Sequence, residues 1–214
     1  MLHYPKIPDT KGCPGGRCLA FEKYDGTNLH WCWDRDFGWH AFGTRRDEFH
    51  LTASGIAEFH DKHAHLRGCA ELFLADFADR LEQVFLRLPK YQKYPSCKVF
   101  TEFLGPQSFA GLHKEEDEKR LVLFDVMVES FGIVSPWQFV ADFGGPGSAR
   151  VVYEGKFTGK LIEDVRQGKF NVREGVVCKG GTGGSDLWMA KMKTDAYREK
   201  LLVAFAQNWE NYWE

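Results

Sequence analysis

The stretch Phe21-Glu22-Lys23-Tyr24-Asp25-Gly26-Thr27-Asn28 sets one lysine between a carboxylate and a tight Asp-Gly turn. Leu19, Ala20 and Phe21 lead into it, and Leu29, Trp31 and Trp33 alternate with other residues after it. Such alternation has the two-residue period of a strand. The stretch therefore reads as a strand, a sharp turn that offers one amine, and a second strand. Taken alone it predicts a β-hairpin with an Asp-Gly turn and a solvated lysine.

Composition bounds what the lysine could do. The 214 residues suit one substantial domain, and with 43% hydrophobic and 15% aromatic residues a packed core is available. The formal net charge is -2, so any nucleic-acid binding must come from a local basic patch and not from the bulk field. No apolar run is long enough to span a membrane and no signal-peptide pattern opens the chain, which predicts a soluble, cytoplasmic protein. Cys13 and Cys18 flank Pro14-Gly15-Gly16-Arg17 like half of a metal knuckle, but no second pair follows. Reduced and mostly buried thiols are expected, with zinc at Cys13 and Cys18 the minor alternative.

Further charged groups lie at regular places along the chain. Residues 1–16 read as an irregular lead-in, and Leu19 to Phe42 as strands broken at Asp25-Gly26 and Asp34-Arg35-Asp36. A polar turn, Gly43 to Asp47, holds Arg45 and Arg46. Residues 69–88 carry apolar side chains at helical spacing before Pro89. Lys98 to Leu104 alternates as a strand and turns Glu102 to the side of Phe100 and Leu104, where a carboxylate needs a partner. Pro106 to Arg120, with the charge run Lys114 to Arg120, predicts an exposed loop. Leu121 to Val128 is the most apolar strand, interrupted by Asp125.

Ser135-Pro136 opens a short helix that stops at Gly144-Gly145. Val151 to Tyr153 predicts a strand, and Lys160 to Gln167 a helix. Glu174 to Lys179 predicts another strand, followed by a flexible turn over Gly180 to Gly184. In the strand Leu187 to Thr194, Lys191 and Lys193 share a face, where two ammonium groups repel unless an anion lies beside them. Residues 195–214 space as an amphipathic closing helix.

In order and content, these strands resemble the six motifs of the covalent nucleotidyltransferases, the superfamily of ATP-dependent polynucleotide ligases and mRNA capping enzymes. Glu22-Lys23-Tyr24-Asp25-Gly26-Thr27-Asn28 resembles the Glu-Lys-x-x-Gly-Thr-Asn signature of the RNA-ligase-2 group. The resemblance runs from about residue 20 to residue 194. It implies an α+β nucleotidyltransferase domain of antiparallel sheets with flanking helices and a central nucleotide cleft. It further implies an ATP-dependent RNA ligase that needs Mg2+ or Mn2+ and joins 3′-hydroxyl and 5′-phosphate ends, at nicks among other substrates.

Each role carried over is an implication of that resemblance. Lys23 would attack the α-phosphate of ATP to give a lysyl-AMP phosphoramidate, and AMP would pass to a 5′-phosphate before a 3′-hydroxyl displaces it. A free lysine is protonated at neutral pH, with a pKa of about 10.4, so the amine must be desolvated or crowded by cations such as Lys191 and Lys193. Phe124 matches the aromatic that stacks on adenine, Glu22 lies where the backbone meets the base, and Asn28 matches a nucleotide contact. Arg45 fits the arginine near the ribose and the 5′-phosphate, with Arg46 as its alternative. Glu102 and Glu174 match glutamates of the ribose and metal sites, and Asp25 the aspartate holding metal-bound waters. Lys191 and Lys193 match the clamp on the α-phosphate, and Lys179 closes the Glu-Gly-x-Val-x-Lys motif.

Relatives often continue into an OB-fold, whereas here 1–214 is expected to be a single nucleotidyltransferase domain and a monomer, with nucleic acid gripped with or without a separate partner. Three other readings remain at this point: a DNA or hybrid nick ligase, a capping-type guanylyltransferase, and a non-catalytic nucleotide- or RNA-binding module.

Overall fold

In a computed structural model describing residues 4–107, 112–113 and 116–213, β1 (Gly16–Lys23) ends at the lysine and β2 (Thr27–Asp34) begins four residues later. The two strands do not pair, which corrects the hairpin reading. β1 lies between β8 (Val151–Phe157) and β9 (Gly175–Gly180), and β10 (Trp188–Lys193) completes a four-stranded sheet in the order β10-β9-β1-β8. β2 lies between β3 (Gly38–Gly43) and β5 (Ser96–Leu104). With β4 (Glu48–His50), β6 (Arg120–Val128) and β7 (Gly132–Ile133) these form a six-stranded sheet, β4-β3-β2-β5-β6-β7. Every pairing of named strands is antiparallel. The turn at Tyr24 to Gly26 therefore carries the chain from one sheet to the other.

Gly26 is required there by close approach. A Cβ on it would lie 2.4 Å from the Phe103 carbonyl oxygen and 2.8 Å from Leu104 Cδ2, so only a hydrogen lets the link pass over β5.

Period-two alternation divides β1 between two cores. Leu19 and Phe21 join the large core, whereas Cys18 and Ala20 join a smaller one with Leu161, Val165, Val176 and Met192. From β2, Leu29, Trp31 and Trp33 enter the large core. Trp31 stacks on Phe73 at 4.0 Å and on Phe42 at 5.4 Å between ring centroids, and its Nε1 donates to Thr101 Oγ1 at 2.9 Å. Such aromatic pairs add about 1 kcal/mol each to the area they bury.

The helix expected at 69–88 forms with one irregularity. α2 (Cys69–Phe73) and α3 (Asp79–Arg87) are joined by a π-helical turn, Leu74–Ala78. Phe73, Phe77, Leu81 and Phe85 repeat every four residues and all are buried. A repeat of four drifts round an α-helix of 3.6 residues per turn, and the wider π turn brings the stripe back to the core. α1 (Ala53–Lys62), capped by Thr52 Oγ1 accepting from Gly55 N, was not anticipated from the sequence. Pro89–Gln92 forms the short α4, and α6 spans Gly159–Arg166. The Ser135-Pro136 start opens α5 (Pro136–Phe143) as expected, with Ser135 Oγ accepting from Gln138 N.

The single closing helix expected over 195–214 is corrected. α7 (Asp195–Phe205) stops where Ala206 adopts a φ of 45°, and Ala206–Tyr212 continues as 3-10 turns. Of the exposed loop expected over Pro106 to Arg120, residues 108–111 and 114–115, including Lys114 and Glu115 of the charge run, lie outside the described residues, as do 1–3 of the lead-in and 214. All six cysteines are free. Among the described residues Cys13 and Cys18 belong to no metal-ligand cluster. No described helix is long and apolar enough to cross a membrane.

Candidate active site

The ends of strands from both sheets, with part of the lead-in, enclose a cavity of about 380 Å³. Lys23, from the end of β1, and Asp25, from the crossing turn, line it together with Glu22. The six-stranded sheet contributes Asn28, Glu102 and Phe124, and the turn after β3 contributes Arg45. Glu174, just before β9, and Lys191 and Lys193 of β10 complete the set. Every site residue anticipated from the sequence thus faces one cavity. Of the two alternative arginines, Arg45 lines it and Arg46 does not.

Glu174 organises the charges. It is buried, its Oε1 lies 2.8 Å from Lys23 Nζ and 3.6 Å from Lys193 Nζ, and it therefore supplies an anion beside Lys193, one of the two late lysines. Its Oε2 is buried without a hydrogen-bond partner among the described residues. Asp25 is buried and accepts a hydrogen bond from the Tyr197 hydroxyl at 3.0 Å. Glu102 Oε1 accepts from Gly26 N at 3.2 Å, and Asn28 stands opposite Glu102 across the β2–β5 ladder. Glu22 Oε2 accepts from Arg150 Nε at 3.0 Å and from the Tyr24 hydroxyl at 3.2 Å.

These contacts move the protons. For Lys23, burial favours the neutral amine, but Glu174, Glu102 and Asp25 outweigh it and hold the ammonium above its ordinary value. The sequence argument looked for a depressed amine crowded by cations; here carboxylates crowd it instead. Burial brings Lys193 down to about 8, against the pull of Glu174 and with the help of Lys23 and Lys191. Burial also pushes the Glu102 carboxyl up to about 7, opposed by Lys23 and reinforced by Glu174.

Three features were missed. Tyr4, Lys6 and Ile7 of the lead-in line the cavity, Lys191 N donates to Pro8 O at 3.0 Å, and Tyr4 packs edge-on against Phe124 at 5.2 Å. An aromatic and an isoleucine in an otherwise polar segment were the available signal. Second, Asp125, the anomaly of β6, forms a buried pair with Lys179 at 2.7 Å and accepts from the Tyr4 hydroxyl. Third, Lys179 Nζ donates to the Phe124 carbonyl at 2.8 Å, which ties β9 to the backbone of β6 beneath the cavity.

The donor set fits a hard divalent cation. Asp25, Glu102 and Glu174 supply carboxylate oxygens in one cavity, and the orphaned Glu174 Oε2 lacks a partner that a cation or its water would provide. With Lys179 balanced by Asp125, five cationic side chains, Lys6, Lys23, Arg45, Lys191 and Lys193, face four carboxylates there, so the lining carries a small positive excess although the chain does not. Such a site suits a polyphosphate.

No family model and no curated protein matches the sequence. Solved structures do. An archaeal ATP-dependent RNA ligase superposes with a TM-score of 0.54 at 16% identity, covering 97% of this chain and 52% of that one. A Naegleria gruberi RNA ligase variant with AMP and manganese gives 0.59 at 15% identity over 94% and 58%. An Aquifex aeolicus protein assigned as an ATP-dependent DNA ligase gives 0.51 at 17% identity over 99% and 57%. The chain thus spans between half and three-fifths of the length of the solved chains it matches. Its fold is that of the nucleotidyltransferase region of ATP-dependent polynucleotide ligases.

Proposed function

We propose that this chain joins RNA 3′-hydroxyl and 5′-phosphate ends in an ATP- and divalent-metal-dependent reaction that passes through AMP bonded to Lys23. The observation that carries this reading is the setting of the Lys23 amine: it lies 2.8 Å from Glu174 and lines one cavity together with Phe124, Lys191, Lys193 and Arg45. That is a nucleophile among charge-neutralising groups, the arrangement phosphoryl transfer requires.

At rest Lys23 is an ammonium held by Glu174, so attack needs its proton to leave. A hydrated magnesium or manganese ion held by Asp25, Glu102 and Glu174 would supply positive charge opposite the triphosphate. With those carboxylates so engaged, burial would favour the neutral amine and Lys193 would press the same way, so that the Lys23 proton would leave to solvent. Its Nζ then forms the N–P bond to the α-phosphorus as the P–O bond to pyrophosphate breaks. Phe124 stacks on adenine, Glu22 and Asn28 position the nucleoside, and Lys191, Lys193 and Arg45 offset phosphate charge. AMP next passes to a 5′-phosphate, and a 3′-hydroxyl displaces it to seal the strand. The 1–214 stretch acts here as a nucleotidyltransferase unit.

Incubation with α-labelled ATP and magnesium should label the protein covalently, with Lys23→Ala unlabelled. A folded wild type that takes no label sinks this reading. Labelled GTP in the same assay separates a capping-type enzyme, and a panel of nicked RNA, DNA and hybrid duplexes separates RNA joining from DNA joining.

A further inference from the structure

Further along the strands that carry Asn28 and Glu102, the six-stranded sheet gathers a second set of chemically distinct side chains. His30 and Cys32 follow Asn28 at two-residue steps on β2 and share its face. Glu48 of the edge strand β4 pairs with Gly43, which in turn pairs with His30. His30 Nε2 lies 3.0 Å and Cys32 Sγ 3.6 Å from one oxygen, Glu48 Oε2. All three ligand atoms lie within 4.8 Å of one another. His30 and Cys32 are buried at 6% and 8% exposure, while Glu48 opens the cluster to solvent.

We propose that His30, Cys32 and Glu48 bind a zinc ion, at a site separate from the cleft. The spacing supports it. Zinc bonds of about 2.0 Å to nitrogen or oxygen and about 2.3 Å to sulfur, at tetrahedral angles, hold ligand atoms roughly 3.3–3.6 Å apart. The Cys32–Glu48 separation of 3.6 Å falls at the top of that range, the His30–Glu48 separation of 3.0 Å falls slightly short of it, and the third pair lies within 4.8 Å. Charge supports it as well: a thiolate, a carboxylate and a neutral imidazole balance a divalent ion. The thiol proton leaves to solvent as the sulfur binds. Softness separates this site from the cleft, since sulfur and imidazole select zinc and the all-oxygen set selects magnesium or manganese.

Lys98 is the competing explanation, because its Nζ lies 3.3 Å from the same Glu48 oxygen and could make the cluster a plain ion network. It stands opposite Cys32 across the ladder, so after ligation it would still face an anionic sulfur. A fourth position remains for water. The ion would clip the short edge strand, and the turn bearing Arg45, to the strand that bears Asn28.

Cobalt titration of chelator-treated full-length protein tests this without reference to catalysis. One equivalent should produce a sulfur-to-cobalt charge-transfer band that zinc displaces. Cobalt held only by the cleft carboxylates gives no such band. Cys32→Ser should lose the band, and Glu48→Gln, at a part-exposed position, should weaken zinc binding by at least about tenfold. Zinc should raise the thermal midpoint of wild type and not of Cys32→Ser. No band in wild type, a band that survives Cys32→Ser, or unchanged zinc affinity in Glu48→Gln would each overturn the proposal.

Discussion

Lys179→Met tests how the cleft is held from below. Lys179 and Asp125 are 3% and 2% exposed and 2.7 Å apart, and the lysine also lies 4.8 Å from the Phe21 ring and 5.7 Å from Phe124 and Phe139. Burial pushes the Asp125 carboxyl up and pulls the Lys179 ammonium down, each partly opposed by the other's charge. Both shifts lean against the charged forms, so the pair as a whole adds little to stability. Removing one member is different. Lys179→Met leaves a buried carboxylate with Tyr4 as its hydrogen-bond donor, at a cost of about 3–5 kcal/mol. Adding Asp125→Asn removes the charge and should recover part of that loss. A residual cost of about 1–3 kcal/mol remains because the Phe124 carbonyl loses its donor. Urea unfolding at neutral pH, with m-values checked for constancy, measures both quantities. The deficit of the single variant should shrink on acidification, since a carboxyl already raised takes up its proton early. A single-variant cost under about 1 kcal/mol, or a double variant no better than the single, refutes the account.

Three further outcomes follow from the geometry. A carboxyl whose folded value sits near 7 holds its proton more tightly folded than unfolded, so its contribution is complete below the ordinary range of about 4.3 and is lost as pH rises through 7. Glu102→Gln should therefore melt higher than wild type near pH 8, with the gap closing toward about pH 5; a pH-independent gap contradicts it. Gly26→Ala forces a methyl against the Phe103 carbonyl and should cost more than about 2 kcal/mol in thermal or urea unfolding, with neutral behaviour disproving the close approach. Phe124→Ala should weaken ATP binding by about 1–3 kcal/mol in a calorimetric titration if the ring stacks on adenine, and unchanged affinity removes that role.

The strands around Lys23, Glu102, Phe124 and Lys191 were legible because period two survives in single-sequence text. Their partners were not. Asp25-Gly26 looked like a hairpin turn because a local signal cannot report that β1 pairs 130 residues and more downstream, with β8 and β9. Gly26 is there for contact with β5, which no dipeptide rule encodes. The lead-in read as irregular, and residues 4–15 form no helix or strand, yet Tyr4 fills the space beside Phe124 through contacts across more than a hundred residues. α1 carries few apolar residues and escaped notice, although Thr52 was a usable cap signal. The break at Ala206 follows no glycine or proline, and nothing in the local sequence marks it. Lysine protonation was misjudged for a similar reason: the carboxylates that raise it arrive from three separate segments.

The three-residue link at Tyr24 to Gly26 also says where the chain could be reopened. Neither strand beside it depends on the other for a ladder, since β8 and β9 zip onto β1 while β3 and β5 zip onto β2. A circular permutant starting at Thr27 would keep all its backbone registry. What it would forfeit is the tether fixing the amine's reach to the opposite wall, so reactivity and foldedness would separate in one molecule.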